Sequence, residues 1–164
     1  MPLEQDVSND DGLAFEHGLN GLYDSNGITF RYPENWILSQ QNHENEFTVS
    51  VNSPNTAFWS VFLFKDHPNP KHVIETATET LRTEYDEIDL YPTTAKMCER
   101  ETVARDIEFV CLELINSAFL RAFETDEFTV FVMFQANDAE LESVKDVMNS
   151  ICASLKFVQT GTGT

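Results

Sequence analysis

Residues 57–65, Ala-Phe-Trp-Ser-Val-Phe-Leu-Phe-Lys, are apolar in two registers at once. On an extended chain Trp59, Val61 and Leu63 fall on one side and Phe58, Phe62 and Phe64 on the other. The doubling recurs at 128–134, where Phe128, Val130, Val132 and Phe134 oppose Phe131 and Met133. It recurs again at 107–115, where Ile107, Phe109 and Cys111 oppose Val110, Leu112 and Leu114. Strands apolar on both faces belong to a sheet covered on both sides, because a wet face would alternate with polar residues. Further strand signals lie at 28–32, 36–40 and 46–52. Asn26-Gly27 makes a tight turn before the first of these, Asn42-His43-Glu44-Asn45 a hairpin loop between the last two, and Ser53-Pro54-Asn55-Thr56 a break after them.

The covering layers show a different period. Asn69-Pro70 is a cap and first-turn signal, and Val73, Ala77, Leu81 and Tyr85 then recur every fourth residue, with Ile74 widening the stripe. This predicts an amphipathic helix over about 70–86. A second helix begins at Asn137 or Asp138 and aligns Leu141, Val144, Met148, Ile151 and Leu155, with Asn137 and Glu140 spaced as a capping box. The expectation is an α+β domain with three strands, a helix, about four strands and a final helix. Its antiparallel sheet of about six or seven strands is sandwiched between the helices. Residues 1–26, rich in Asp and Gly, are expected to form a mobile acidic arm, 27–158 a single domain, and 159–164 a disordered tail.

The opening Gly27-Ile-Thr-Phe-Arg-Tyr-Pro-Glu-Asn-Trp36, the helix after the early strands and the closing Leu141…Leu155-Lys-Phe helix together resemble the PsbP-like, Mog-like α/β/α sandwich proteins over roughly 27–158. The resemblance implies a non-catalytic binding or accessory module. That superfamily includes a photosystem II extrinsic subunit, a nuclear-import factor that binds the small GTPase Ran, and bacterial chaperone-like adaptors. No binding residue carries over, because Tyr32-Pro33 with Trp36 reads as structural.

Charge narrows the partners. The 164-residue chain holds 28 acidic and 10 basic side chains, for a formal charge of -18. Such a surface repels phosphate backbones, so no nucleic acid and no anionic membrane is expected, and a protein with a basic surface is the electrostatically favoured partner. The first 26 residues carry no Lys, Arg or apolar run, and Cys98, Cys111 and Cys152 form no Cys-x-x-Cys pair. Both features predict a cytoplasmic protein.

Candidate chemistry is sparse. His17, His43, His67 and His72 fall in predicted loops, termini or a helix start, and no Gly-x-Ser-x-Gly elbow accompanies them. Cys98, two residues before Arg100, reads as a plain partly buried thiol or, less blandly, as a thiolate lowered by that guanidinium. His72 shares a helical face with Glu75, Thr76 and Glu79 and lies near His67, yet one histidine–carboxylate pair completes no metal site. The Asp6-to-Gly12 segment matches only the first part of a calcium loop. No glycine-rich phosphate cradle exists. No catalytic residue, metal or cofactor is therefore expected. One charge feature stands out: Glu84, Asp86, Glu87 and Asp89 crowd the C-terminal end of the first helix, where the macrodipole is already negative. They are the candidate partner-binding residues. The functional expectation is a non-enzymatic protein-binding accessory, adaptor or chaperone-like module. The alternatives are a small-molecule or lipid-binding module with an aromatic pocket between sheet and helix, and a hydrolase.

Overall fold

A computed structural model describes residues 18–158. The strands are β1 (Gly21–Ser25), β2 (Ile28–Tyr32), β3 (Ile37–Asn42), β4 (Glu46–Asn52), β5 (Phe58–Phe64), β6 (Ile88–Thr93), β7 (Lys96–Met97), β8 (Arg100–Glu101), β9 (Val103–Cys111), β10 (Leu114–Glu124), β11 (Thr129–Asn137) and β12 (Lys156–Phe157). Helix α1 (Pro70–Glu84) follows β5, and helix α2 (Asp138–Ser154) follows β11. The main sheet has seven antiparallel strands in the order β3-β4-β5-β11-β10-β9-β6, with a small sheet β1-β2-β12 and the ribbon β7-β8 beside it. The α+β class and the seven-stranded antiparallel sheet agree with the sequence expectation. The element order is finer, with five strands before α1 instead of three.

Two other differences have local causes. Strand β1 lies inside the segment expected to be a mobile arm, and it pairs with β2 from Gly21↔Tyr32 to Ser25↔Ile28. Leu19 is fully buried and Tyr23 stacks on Phe30 at 5.2 Å, so the packed domain begins before Gly27. Residues 1–17, with the Asp6-to-Gly12 segment and His17, and the tail 159–164 lie outside the described residues. The run 107–115 is two strands instead of one: Cys111 pairs with Leu114 across a turn formed by Leu112 and Glu113, both with positive φ (54° and 66°). Asn26-Gly27 makes its turn as expected, at φ 55° and 85°.

Both helix starts follow the sequence signals. Asn69 Oδ1 accepts from the Lys71 N–H at 2.8 Å, and Asn137 Oδ1 accepts from the Glu140 N–H at 3.0 Å. The Glu140 side chain does not reach back to complete a capping box. It turns to the loop after β4, where its carboxylate accepts from Ser53 Oγ (2.8 Å), Thr56 Oγ1 (2.7 Å) and the N–H groups of Thr56 (2.8 Å) and Ala57 (2.9 Å).

The core is split by the sheet. On one face Trp59, Val61, Leu63, Val130, Val132 and Phe134 meet Ile28 and Phe30 of the small sheet and Met148, Ile151 and Leu155 at the end of the chain. On the other face Val73, Ile74 and Leu81 of α1 pack on Ile107, Phe109, Ala118, Leu120 and Phe131. The alternation in β5 and β11 is thus realised as expected, one register to each face.

Candidate functional site

Helix α1 sits off centre. It packs chiefly on β9, β10 and β11, with Phe62 and Phe64 of β5 only at the edge of that packing. Its N-terminal approach is tied to the start of β11 by a 2.6 Å bond from Thr129 Oγ1 to the Pro68 carbonyl, and at its C-terminal end Tyr85 stacks on Phe109 at 4.3 Å. Between these two anchors the helix lies over the sheet, and beside it the apolar register of β5 is left half covered. Past β5 the same face turns polar through Thr48, Ser50 and Asn52 of β4, which suits open solvent.

The result is a slot of about 790 Å³. Phe58, Phe62, Phe64 and Met133 form its floor and are only half-buried, while Val73, Ala77 and Leu81 form the helical wall. The rings are ordered: Phe62 lies 5.2 Å from Phe131 and 6.4 Å from Phe64, nearly parallel to the latter. Polar groups are confined to the rim, with Glu46, His72, Thr76, Thr80, Glu84 and Gln135 among them. A cleft of this volume, apolar inside with a few polar groups at its edge, has the form of a small-molecule site.

The four acidic residues singled out by sequence are all exposed. Glu84, the last residue of α1, lines the slot, Asp86, Glu87 and Asp89 line a cleft of about 380 Å³ against Val110 and Ile115, and Glu84, Asp86 and Glu87 together border a third cleft beside Leu112. Beyond that cleft stands the β9–β10 turn, with Leu112 90% exposed. Segments 83–95 and 106–120, which build this end of the molecule, contain no Lys or Arg. Arg82 in the last turn of α1 pairs instead with Glu79 at 3.7 Å.

Of the remaining candidates, His72, Glu75, Thr76 and Glu79 share one face of α1 as the sequence spacing implies, and the others lie apart. His43 is exposed in the β3–β4 loop, and His67 lies 3.7 Å from Glu124. Glu75 and Glu79, the carboxylates expected beside His72, are engaged by Arg105 (3.2 Å) and Arg82. Among the described residues no three His, Cys, Asp or Glu side chains converge as a metal site. Cys98 is not an activated thiolate: burial pushes it up to about 11, outweighing the lowering effect of Arg100, whose guanidinium donates to the Glu124 carbonyl at 2.8 Å. Burial likewise takes Cys152 to about 12, although the indole N–H of Trp59 donates to its sulfur at 3.2 Å. No described helix is long and apolar enough to cross a membrane.

No family profile and no curated protein matches the chain by sequence. Solved structures do. A Bacteroides thetaiotaomicron protein superposes with a TM-score of 0.55 at 15% identity, covering 88% of this chain but 50% of the other, so this chain spans half that protein's length. Cyanobacterial PsbP (CyanoP) of Synechocystis sp. PCC 6803 superposes at 0.54 and 13% identity, covering 83% and 91%. A Pseudomonas aeruginosa protein of unknown function superposes at 0.50 and 12%, covering 86% and 97%. At such identities the likeness establishes the fold alone, which is PsbP-like.

Proposed function

We propose that the protein is a non-catalytic binding module whose ligand is a small apolar molecule held between α1 and β5. The observation that carries this reading is the half-exposure of Phe58, Phe62, Phe64 and Met133 in one slot, on the same strands whose opposite register is sealed. Solvent-exposed aromatic side chains in a row lose burial that a shift of α1 would restore, and a ligand restores it without that shift. The raised thiol pKa values of Cys98 and Cys152 support a non-catalytic role, since neither is poised as a nucleophile.

A titration with a neutral naphthylamine dye tests the reading. Saturable fluorescence enhancement is expected at one site per chain, and Thr80→Trp, which places an indole over the slot from an exposed helical position, should abolish it with little change in melting temperature. Dye binding that never saturates, or that is indifferent to Thr80→Trp, would overturn it.

A second reading has its own observation. Leu112, 90% exposed at a hairpin tip, stands beside Asp86 and Glu87 on a surface without Lys or Arg. That combination favours docking of a basic protein partner with an apolar side chain, in the manner of the adaptors among PsbP-like and Mog-like proteins. It is compatible with the first, because the two surfaces meet only at Glu84 and Tyr85.

A further inference from the structure

The slot has polarity along its length. Register places Glu46 opposite Phe64 on β5, and Gln135 opposite Phe58 at the other end. Six residues of extended strand separate Phe58 from Phe64, about 20 Å. On the facing wall His72 and Glu84 are separated by twelve helical residues, about 18 Å. Glu46 and His72 thus mark one mouth of a long apolar floor, and Glu84 marks the other.

Among the described residues, neither Glu46 nor Glu84 has a Lys, Arg or His within ion-pair distance, and no Lys or Arg lines the slot. An anionic head group would meet a carboxylate at each mouth and no Lys or Arg, with His72 the single basic side chain in the lining. A cationic head group would meet a carboxylate with an aromatic ring next to it: Phe64 beside Glu46, or Tyr85 beside Glu84. Ring faces carry the negative end of the aromatic quadrupole and add to the carboxylate attraction where water is partly excluded.

The geometry points to an alkylammonium amphiphile as the ligand class, its chain on Phe58, Phe62, Phe64 and Met133 and its amine at the Glu46 or the Glu84 mouth. This rests on the slot being a ligand site and adds the charge of the ligand. Fatty acids and other anionic lipids are the class it excludes.

Calorimetric titration of the full chain with decylamine, decanol and decanoate, each below its aggregation concentration, separates the two claims. Decylamine should bind roughly tenfold more tightly than decanol, and decanoate should be the weakest of the three. In Glu46→Gln/Glu84→Gln the decylamine affinity should fall to that of decanol, with decanol itself unchanged. The variant Glu142→Gln/Asp146→Asn, on the exposed side of α2, removes the same charge elsewhere and should leave the preference intact. If the preference survives Glu46→Gln/Glu84→Gln, or disappears equally in the α2 variant, it arises from the overall charge of the protein and the inference fails. If decanoate binds as well as decylamine, the inference fails while the slot stands. If neither decanol nor decylamine binds, the slot itself is not a ligand site.

Discussion

The two faces of the main sheet are built from the same strands, yet one is core and the other is a site. Under α2, Trp59, Val61, Val130 and Val132 are completely buried. Under α1, their neighbours in sequence, Phe58, Phe62, Phe64 and Met133, are half-exposed. Composition does not separate the two sets, because the exposed set is the more aromatic. What separates them is the number of covering elements. Helix α2 is joined by the small sheet, whose Ile28 and Phe30 close the remaining area, whereas α1 covers its face alone and leaves β5 half covered beside it. A strand apolar on both faces therefore specifies two layers, but not that both layers fit.

The largest test of that contrast is a pair of truncations. Trp59→Ala removes a fully buried side chain from the sealed face and should cost about 3–5 kcal/mol in urea unfolding. Phe62→Ala, from the adjacent open face, should cost no more than about 2 kcal/mol, because part of its surface is already in water. Equal losses would show that the slot is core in solution and that α1 closes over it.

The two helices also differ in how they are fastened. Glu140 of α2 accepts four hydrogen bonds from the Ser53–Ala57 loop, three of them donated by Thr56 and Ala57. Helix α1 is held by Arg105, which donates to Thr78 Oγ1 at 3.1 Å and to the half-exposed Glu75 at 3.2 Å. Glu140→Gln should cost about 1–2 kcal/mol at neutral pH, whereas Glu75→Gln should cost less than about 0.5 kcal/mol. The Glu140 effect carries a pH signature. Partial burial pushes its carboxyl up, but the bonds from Thr56, Ser53 and Ala57 outweigh this and hold it below the ordinary 4.5. A lowered folded pKa gives stability that is complete above the unfolded value and is lost as pH falls through the folded one. The difference in melting temperature between wild type and Glu140→Gln should thus shrink below about pH 4.5. A difference constant with pH would mean that the carboxylate charge is not what fastens α2.

Most of this fold was legible because its signals are local. The double register of β5 and β11, the Asn69-Pro70 and Asn137 caps and the Asn26-Gly27 turn each depend on a few adjacent residues. Strand β1 was not legible: Gly-Leu-Tyr-Asp-Ser sends one buried side chain, Tyr23, into the core, and its pairing partner supplies the rest. The Leu112-Glu113 turn was hidden because both residues adopt a left-handed conformation that Asn or Gly would have advertised. At the site, the aromatic residues were visible and so was the stripe Val73, Ile74, Ala77, Leu81. Their mutual placement was not, since an apolar stripe states that a helix packs and leaves open which strands it packs on. The acidic cluster is legible as a run of charges, but that Glu84 also borders the slot is not, since this depends on where α1 lies on the sheet.

The smallest expected effect compares the ends of the two helices. Helix α2 places Asp138 and Glu140 in its first turn, in harmony with the macrodipole, whereas α1 has no acid in its first turn and carries Glu84 at its last residue, with Asp86 and Glu87 just beyond. Charges of that sign at a C-terminal end oppose the dipole by about 0.3–1 kcal/mol at low salt, and all three are exposed. Glu84→Gln/Asp86→Asn/Glu87→Gln should therefore raise the melting temperature slightly in low-salt buffer, and the gain should vanish near physiological ionic strength, where the Debye length is about 8 Å. Asp138→Asn in α2, the control, should shift the melting temperature the opposite way under the same conditions. If the acidic end of α1 docks a basic protein, the triple variant should also recover less partner from a low-salt pull-down. A neutralised protein that is no more stable than the native one would place the acids too far into solvent for the helix to sense them. The looser hold of α1 would then rest on its single-layer packing and on the Arg105 contacts alone.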